Sequence, residues 1–171
     1  VTLQVNNNAN AGGASAAQDT QSETSIILGP GGLVLASFND SGGYDGATKF
    51  HFTGWSRSTN SGATWTDMGE LPDQAGGLGD YGDPTMVRST ATGTVLFGTL
   101  GDTTLPIWRS TDGGVSFGPV PANGGVTTSA NYDKEILAVD NFPGTGQGNF
   151  YFFWRNFDSV GGGMTFTRST N

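Results

Sequence analysis

The sequence predicts an all-β protein built from a repeated four-stranded unit. Three observations carry that expectation. The first is composition. Of 171 residues, 29 are Gly and only 13% are charged, against a usual charged share of roughly 25%. Three Glu and two Lys are too few for helical bundles or coiled coils, while four Trp and eleven Phe supply a core and argue against disorder. The second is spacing: short β-branched and aromatic runs alternate with Gly-bearing turns. The third is an internal repeat. Residues 57–65 read Arg-Ser-Thr-Asn-Ser-Gly-Ala-Thr-Trp, residues 109–117 read Arg-Ser-Thr-Asp-Gly-Gly-Val-Ser-Phe, and residues 168–171 read Arg-Ser-Thr-Asn.

The elements follow in order. Residues 1–20 read as an N-terminal strand, Val1–Val5, and an Asn- and Ala-rich connector. Residues 21–70 form a first unit with strands at Thr24–Leu28, Leu33–Phe38, Phe50–Ser56 and Thr64–Met68. Residues 71–120 repeat it at Thr85–Arg88, Thr94–Leu100, Pro106–Arg109 and Ser116–Val120. Residues 121–171 hold Ile136–Val139, Asn149–Trp154 and Met164–Thr167, without an outer strand. A second signal recurs in phase: Glu23-Thr24-Ser25-Ile26, Asp83-Pro84-Thr85-Met86 and Glu135-Ile136-Leu137-Ala138 each open an apolar run. Asp83 and Glu135 both lie 25 residues after a repeat serine, Ser58 and Ser110. A repeated four-stranded unit of roughly 40–60 residues is a propeller blade. The expectation is three blades of one propeller domain, the third incomplete.

The repeated turn has a legible chemistry. Asn60 and Asp112 are short acceptors expected to bond N–H groups two residues on, as in an Asx turn. Gly62 and Gly114 supply a positive φ, and Trp65 and Phe117 are expected to plug the space between strands. Ser58, Asn60, Gly62 and Trp65 thus match Ser110, Asp112, Gly114 and Phe117. This pattern, Ser-x-Asp-x-Gly-x-Thr-Trp, resembles the Asp box, or bacterial neuraminidase repeat, of the sialidase-like propellers. The resemblance spans nearly the whole chain. It implies a structural role for the box, remote from the active site, and a six-bladed ring of which this chain forms half. It also implies a glycosidase that uses three Arg side chains, a Tyr–Glu pair and an acid/base Asp. The family's Arg-Ile-Pro motif near the first strand is replaced here by Ser22-Glu23-Thr24-Ser25-Ile26.

Strand direction locates the chemistry. The boxes join third and fourth strands, so the starts of first strands and the ends of second strands lie at the opposite end. First strands line a propeller's axis, where ligands bind. Of fifteen acidic residues, eight fall at this end: Glu23, Asp40, Asp45, Asp83, Asp102, Asp133, Glu135 and Asp158. Asp83, Asp133 and Glu135 are the candidate catalytic carboxylates. Arg155, Lys134, Tyr132, Asp40 and Asp158 are the candidate substrate contacts. Glu23, Asp83 and Asp102 are hard oxygen donors, which makes Ca²⁺ a candidate cofactor. Trp55, Trp108 and Trp154 read as core packing between blades, or as sugar platforms if the module only binds glycans. His51 reads as an ordinary strand histidine.

Charge and termini bound the partners. A net charge of −8 repels phosphate backbones, so nucleic acid is not an expected partner, and no apolar run reaches the ~20 residues of a membrane span. The chain lacks Cys. Low Lys with abundant Gly, Thr and Asn favours a secreted protein. The start at Val1 and the end inside a box suggest a processed or cleaved chain. Three blades leave open edges, so a second copy, or a second fragment of one precursor, is expected to complete the ring, with Val1–Val5 adding the missing strand in the first case. The function expected is hydrolysis of a glycosidic bond. The alternative is a non-catalytic glycan-binding or Ca²⁺-stabilised module.

Overall fold

The computed structural model describes residue 2 and residues 22–43, 51–74, 79–101, 104–120, 126–127, 131–158 and 162–169. Asp45, Asp102 and nearly all of the expected N-terminal strand and connector lie outside the described residues. Within them the protein is all-β, with three antiparallel sheets that succeed one another along the chain.

The first sheet contains β1 (Ser25–Leu28), β2 (Val34–Asn39), β3 (Thr53–Ser58) and β4 (Thr66–Glu70), in that spatial order. The second contains β5 (Thr85–Arg88), β6 (Val95–Gly98), β8 (Ile107–Ser110) and β9 (Gly118–Pro119). The third contains β11 (Tyr132–Val139), β12 (Phe150–Asn156) and β13 (Gly163–Ser169), and no fourth strand among the described residues. These are consecutive four-stranded meanders, the third lacking its outer strand, as the repeat predicts. A two-residue ladder between β7 (Thr104–Leu105) and β10 (Val126–Thr127) has no counterpart in the sequence reading.

The sheets stack face to face on two apolar seams. Leu35, Trp55, Met86, Val95, Phe97 and Phe117 fill the seam between the first and second sheets. Leu105, Ile107, Leu137, Phe152 and Trp154 fill that between the second and third. The first residue of each inner strand ties its sheet to the next. The Met86 N–H donates to Ser25 Oγ at 3.2 Å, and the Leu137 N–H donates to Thr85 Oγ1 at 3.1 Å. Trp55, Trp108 and Trp154 are all at most 5% exposed, so they are packing residues and not surface platforms.

The repeated turn is built differently from the simple Asx turn expected. The serine, not the acidic residue, takes the N–H two residues on, since Asn60 N–H donates to Ser58 Oγ at 3.3 Å and Gly62 N–H at 3.0 Å. Asn60 Oδ1 instead accepts from Thr64 N–H, four residues on, at 2.9 Å. Asp112 Oδ1 accepts from Val115 and Ser116 N–H at 3.0 and 3.1 Å. Gly62 and Gly114 have φ of 83° and 76°, as expected, and Ser61 shares the left-handed conformation at 59°. A Cβ on Gly114 would lie 2.5 Å from Leu35 Cδ1, so glycine is required there twice over. Phe117 does not plug the space between strands. It plugs the seam between sheets, edge-on to Trp55 and Phe97 at 5.4 and 5.3 Å.

Candidate functional site

At the end opposite these turns, each inner strand carries one strained residue, just before the strand in the first two sheets and at the register shift within it in the third. Glu23, Asp83 and Lys134 have φ of 52°, 54° and 52°; Glu23 and Asp83 lie two residues before the first pairing positions Ser25 and Thr85, and Lys134 lies at the equivalent distance before Ile136, within β11 at its register shift. Left-handed conformations cost non-glycine residues of order 1 kcal/mol or more and concentrate at functional sites. Here the strain has one geometric result: the three side chains converge. The Glu23 and Asp83 carboxyls share a hydrogen bond, and Lys134 Nζ lies 3.5 Å from Glu23 Oε2.

Asn39, buried at the end of β2, braces the pair. Its Oδ1 accepts the Asp83 N–H at 2.7 Å, and its Nδ2 donates to Ser22 Oγ at 3.2 Å. One amide therefore links the residue beside Glu23 to Asp83. Gly82 makes room for it: at φ 91°, a Cβ there would lie 2.4 Å from Asn39 Oδ1.

The electrostatics follow from the pairing. Asp83 is raised to about 6, first by desolvation and then by its hydrogen bond and proximity to Glu23. Glu23 is lowered, chiefly by the hydrogen bond from Asp83, with Lys134 adding its charge. The shared proton therefore sits on Asp83. Glu135 is only 2% exposed, and among the described residues neither carboxyl oxygen has a hydrogen-bond partner on another residue. Burial, aided by the charges of Asp83 and Asp133, raises it to about 9. Glu135 is the counterpart of Pro84, not of Asp83. The register shift between Asp133 and Ile136 carries it into the sheet interior.

Of the expected site residues, Asp83, Asp133, Lys134 and Glu135 therefore act on one another. Glu23, expected among the carboxylates of this end and as a possible metal donor, is the partner of Asp83, and Asp102 lies outside the described residues. Among the described residues no three His, Cys, Asp or Glu side chains form a metal-holding group. The remaining expected contacts are engaged locally. Asp40 Oδ1 accepts from the Gly42 N–H at 3.0 Å. Asp158 Oδ1 accepts from Asn131 Nδ2 at 2.8 Å. The Tyr132 ring packs on Trp154 at 5.9 Å. Arg155 faces Asp133 across the β11–β12 ladder, with its guanidinium 4.7 Å from the Phe157 ring centroid.

Sequence reasoning missed two features. The left-handed entries carry no side-chain signature. Their only hint was the in-phase recurrence of charged residues before each inner strand. His51 is also more than a strand residue. Its Nδ1 lies 2.8 Å from Asp80 Oδ2 and its Nε2 2.9 Å from Asp73 Oδ1. The bond to buried Asp80 outweighs desolvation and, with Asp73, raises the imidazole to about 9. The ring is held as a cation between two carboxylates.

No protein-family model and no curated protein matches this chain. Solved structures do. The α-L-arabinanase of Penicillium chrysogenum, complexed with arabinobiose, superposes with a TM-score of 0.61 at 18% identity, over 86% of this chain and 45% of that one. The GH93 α-L-arabinofuranosidase of Fusarium graminearum, also with arabinobiose, gives 0.61 at 15% identity, over 80% and 40%. The chain spans less than half the length of either protein. The likeness establishes the propeller fold found in glycoside hydrolases.

Proposed function

We propose that this chain forms part of a secreted carbohydrate-active propeller that hydrolyses a glycosidic bond in a neutral glycan. The observation that carries this reading is the convergence of Glu23, Asp83 and Lys134 from three successive blades, each through a strained residue. Glycoside hydrolysis uses a carboxylic acid to protonate the leaving oxygen and a carboxylate facing the developing positive charge. Asp83, carrying a proton up to about pH 6, suits the acid. Glu23, held ionised, suits the carboxylate. Glu135 is a second protonated carboxyl, and Asp133 adds negative potential that raises both acids.

The choice of a neutral sugar follows from charge. With Asp83 and Glu135 protonated, the charges of Glu23 and Asp133 still outnumber the one lysine, so an anionic sugar of the sialic type meets repulsion. The sialidase reading needs a cluster of arginines, and among the described residues Arg155 is the only one placed at this end. The arabinobiose complexes of the two fold relatives make arabinose-containing oligosaccharides the first substrates to try.

We also infer that further blades close the ring. Ile26 and Leu28 are 65% and 72% exposed on the outer face of the first sheet. Ile136, Phe153 and Phe166 form one exposed cross-strand row on the third. Exposed apolar faces at both ends of the stack are what an unfinished ring presents. A second copy and a further polypeptide are distinguished by comparing native and denatured masses.

The activity test uses the natural assembly containing this chain, assayed on arabino-oligosaccharides and on sialosides. Turnover of the former, lost in Asp83→Asn while the protein stays cooperatively folded, is the expected result. Binding without turnover on every sugar would make the module a lectin. Sialoside cleavage would overturn the neutral-glycan reading.

A further inference from the structure

The second seam holds a groove of about 680 Å³, at the place where the first seam is filled by the second repeated turn. Four of its lining residues, Leu96, Ile107, Arg109 and Phe152, are the repeat counterparts of Leu35, Trp55, Arg57 and Phe97. The pairing registers fix that equivalence. Leu35 faces Arg57 across β2–β3 as Leu96 faces Arg109 across β6–β8. Phe97 faces Met86 as Phe152 faces Leu137.

In the first seam those four residues grip the second repeated turn. Trp55 Nε1–H donates to the Gly114 carbonyl at 3.1 Å, and Arg57 Nε–H donates to the Gly113 carbonyl at 3.0 Å. Leu35 packs on Gly114. Phe97 meets Phe117 edge-on. Ser110, which opens that turn, faces Val95, just as Ser169 at the end of β13 faces Phe150.

We propose that the groove of the second seam is the receptor for a third turn of the same chemistry, the one that Ser169-Thr170-Asn171 opens. Its occupant carries Gly at the fifth position of the pattern, where a backbone must pass close to Leu96. It carries Phe or Trp at the eighth, to fill the space beside Ile107 and Phe152. Arg109, exposed where Arg57 is half-buried, is the donor for a carbonyl of that turn. This inference is independent of any catalytic reading.

The test extends the chain after Asn171 with the sequence of Gly113–Val120, which keeps the box in phase. Thermal melting and the methyl NMR signals of Leu96 and Ile107 are followed. The expected result is a rise in Tm of about 5 °C, with both methyl signals shifted. Replacing the appended phenylalanine by alanine should remove most of the rise. An unchanged Tm overturns the proposal. So does a rise that survives the alanine, or one that leaves the two methyl signals in place.

Discussion

The two ends of each blade use the same residue types to opposite effect. At the turn end, Asp112 is surrounded by donors. Desolvation is the largest single effect and opposes the shift, but the Ser116 and Ser110 hydroxyls and two backbone N–H groups together outweigh it and hold Asp112 at about 2. At the axial end, Asp83 is raised to about 6 and Glu135 to about 9, the latter without a partner on another residue among the described ones. The turn end spends its carboxylate on its own backbone and gains stability. The axial end keeps carboxyls half-buried, protonated and strained, which stability alone does not favour. Groups held at such a cost are the ones a ligand would use.

The largest effect expected from this contrast is at the turn end. Phe117→Ala removes an aromatic side chain, 6% exposed, from between Trp55 and Phe97. It should cost about 3–5 kcal/mol, read by denaturant unfolding. A loss below about 1 kcal/mol would mean that the turn merely covers the seam. The axial end should answer with the opposite sign. Glu135→Gln removes a buried ionisable group and should raise stability at pH 8 by about 1–3 kcal/mol, while lowering turnover. A destabilised variant would show that Glu135 has a partner that the packing does not reveal.

Between these lies Asn39. Asn39→Ala leaves the Asp83 N–H without its acceptor, which costs about 1–3 kcal/mol. It should also release the Glu23–Asp83 contact, so the alkaline limb of the pH–rate profile, set by the acid Asp83 and expected near 6, moves down. Loss of stability with that limb unmoved would make Asn39 a structural residue only.

The turn end was far more legible in the sequence than the axial end. Eleven strands and both complete turns follow from residue type, because Ser, Asp, Asn and Gly at fixed spacing have few other uses. The wrong detail there, which N–H goes to which oxygen, depends on backbone angles at Ser61 and Gly113 that composition does not encode. At the axial end the location was legible from the alternation of strand direction, and so were Asp83 and Lys134. The pairing of Glu23 with Asp83 was not, because it arises from left-handed residues that carry ordinary side chains. Nor was the burial of Glu135. A one-residue register shift turns a side chain to the other face of a strand, and nothing in Tyr132-Asp133-Lys134-Glu135 announces where that shift falls.

The smallest effect tests the sign of the contrast itself. Asp112 has a folded pKa below its unfolded value of 3.8, so its contribution is present above pH 4 and is lost as pH falls toward 2. Asp83 is the reverse. Its folded pKa lies above 3.8, so its contribution is fully present below that value and is lost as pH rises through about 6. The first turn supplies a built-in control, since Asn60 already fills the Asp112 position and bonds Thr64 with both its oxygen and its nitrogen. Asp112→Asn should therefore change stability at pH 7 by less than about 0.5 kcal/mol and flatten the decline in Tm between pH 4 and 2. Asp83→Asn should leave that acid decline alone and remove part of the decline between pH 4 and 7. Two variants with the same chemical change would then bend the same pH–Tm curve at opposite ends. If both bend it at the same end, the two ends of the blade do not differ in the way their hydrogen bonds imply.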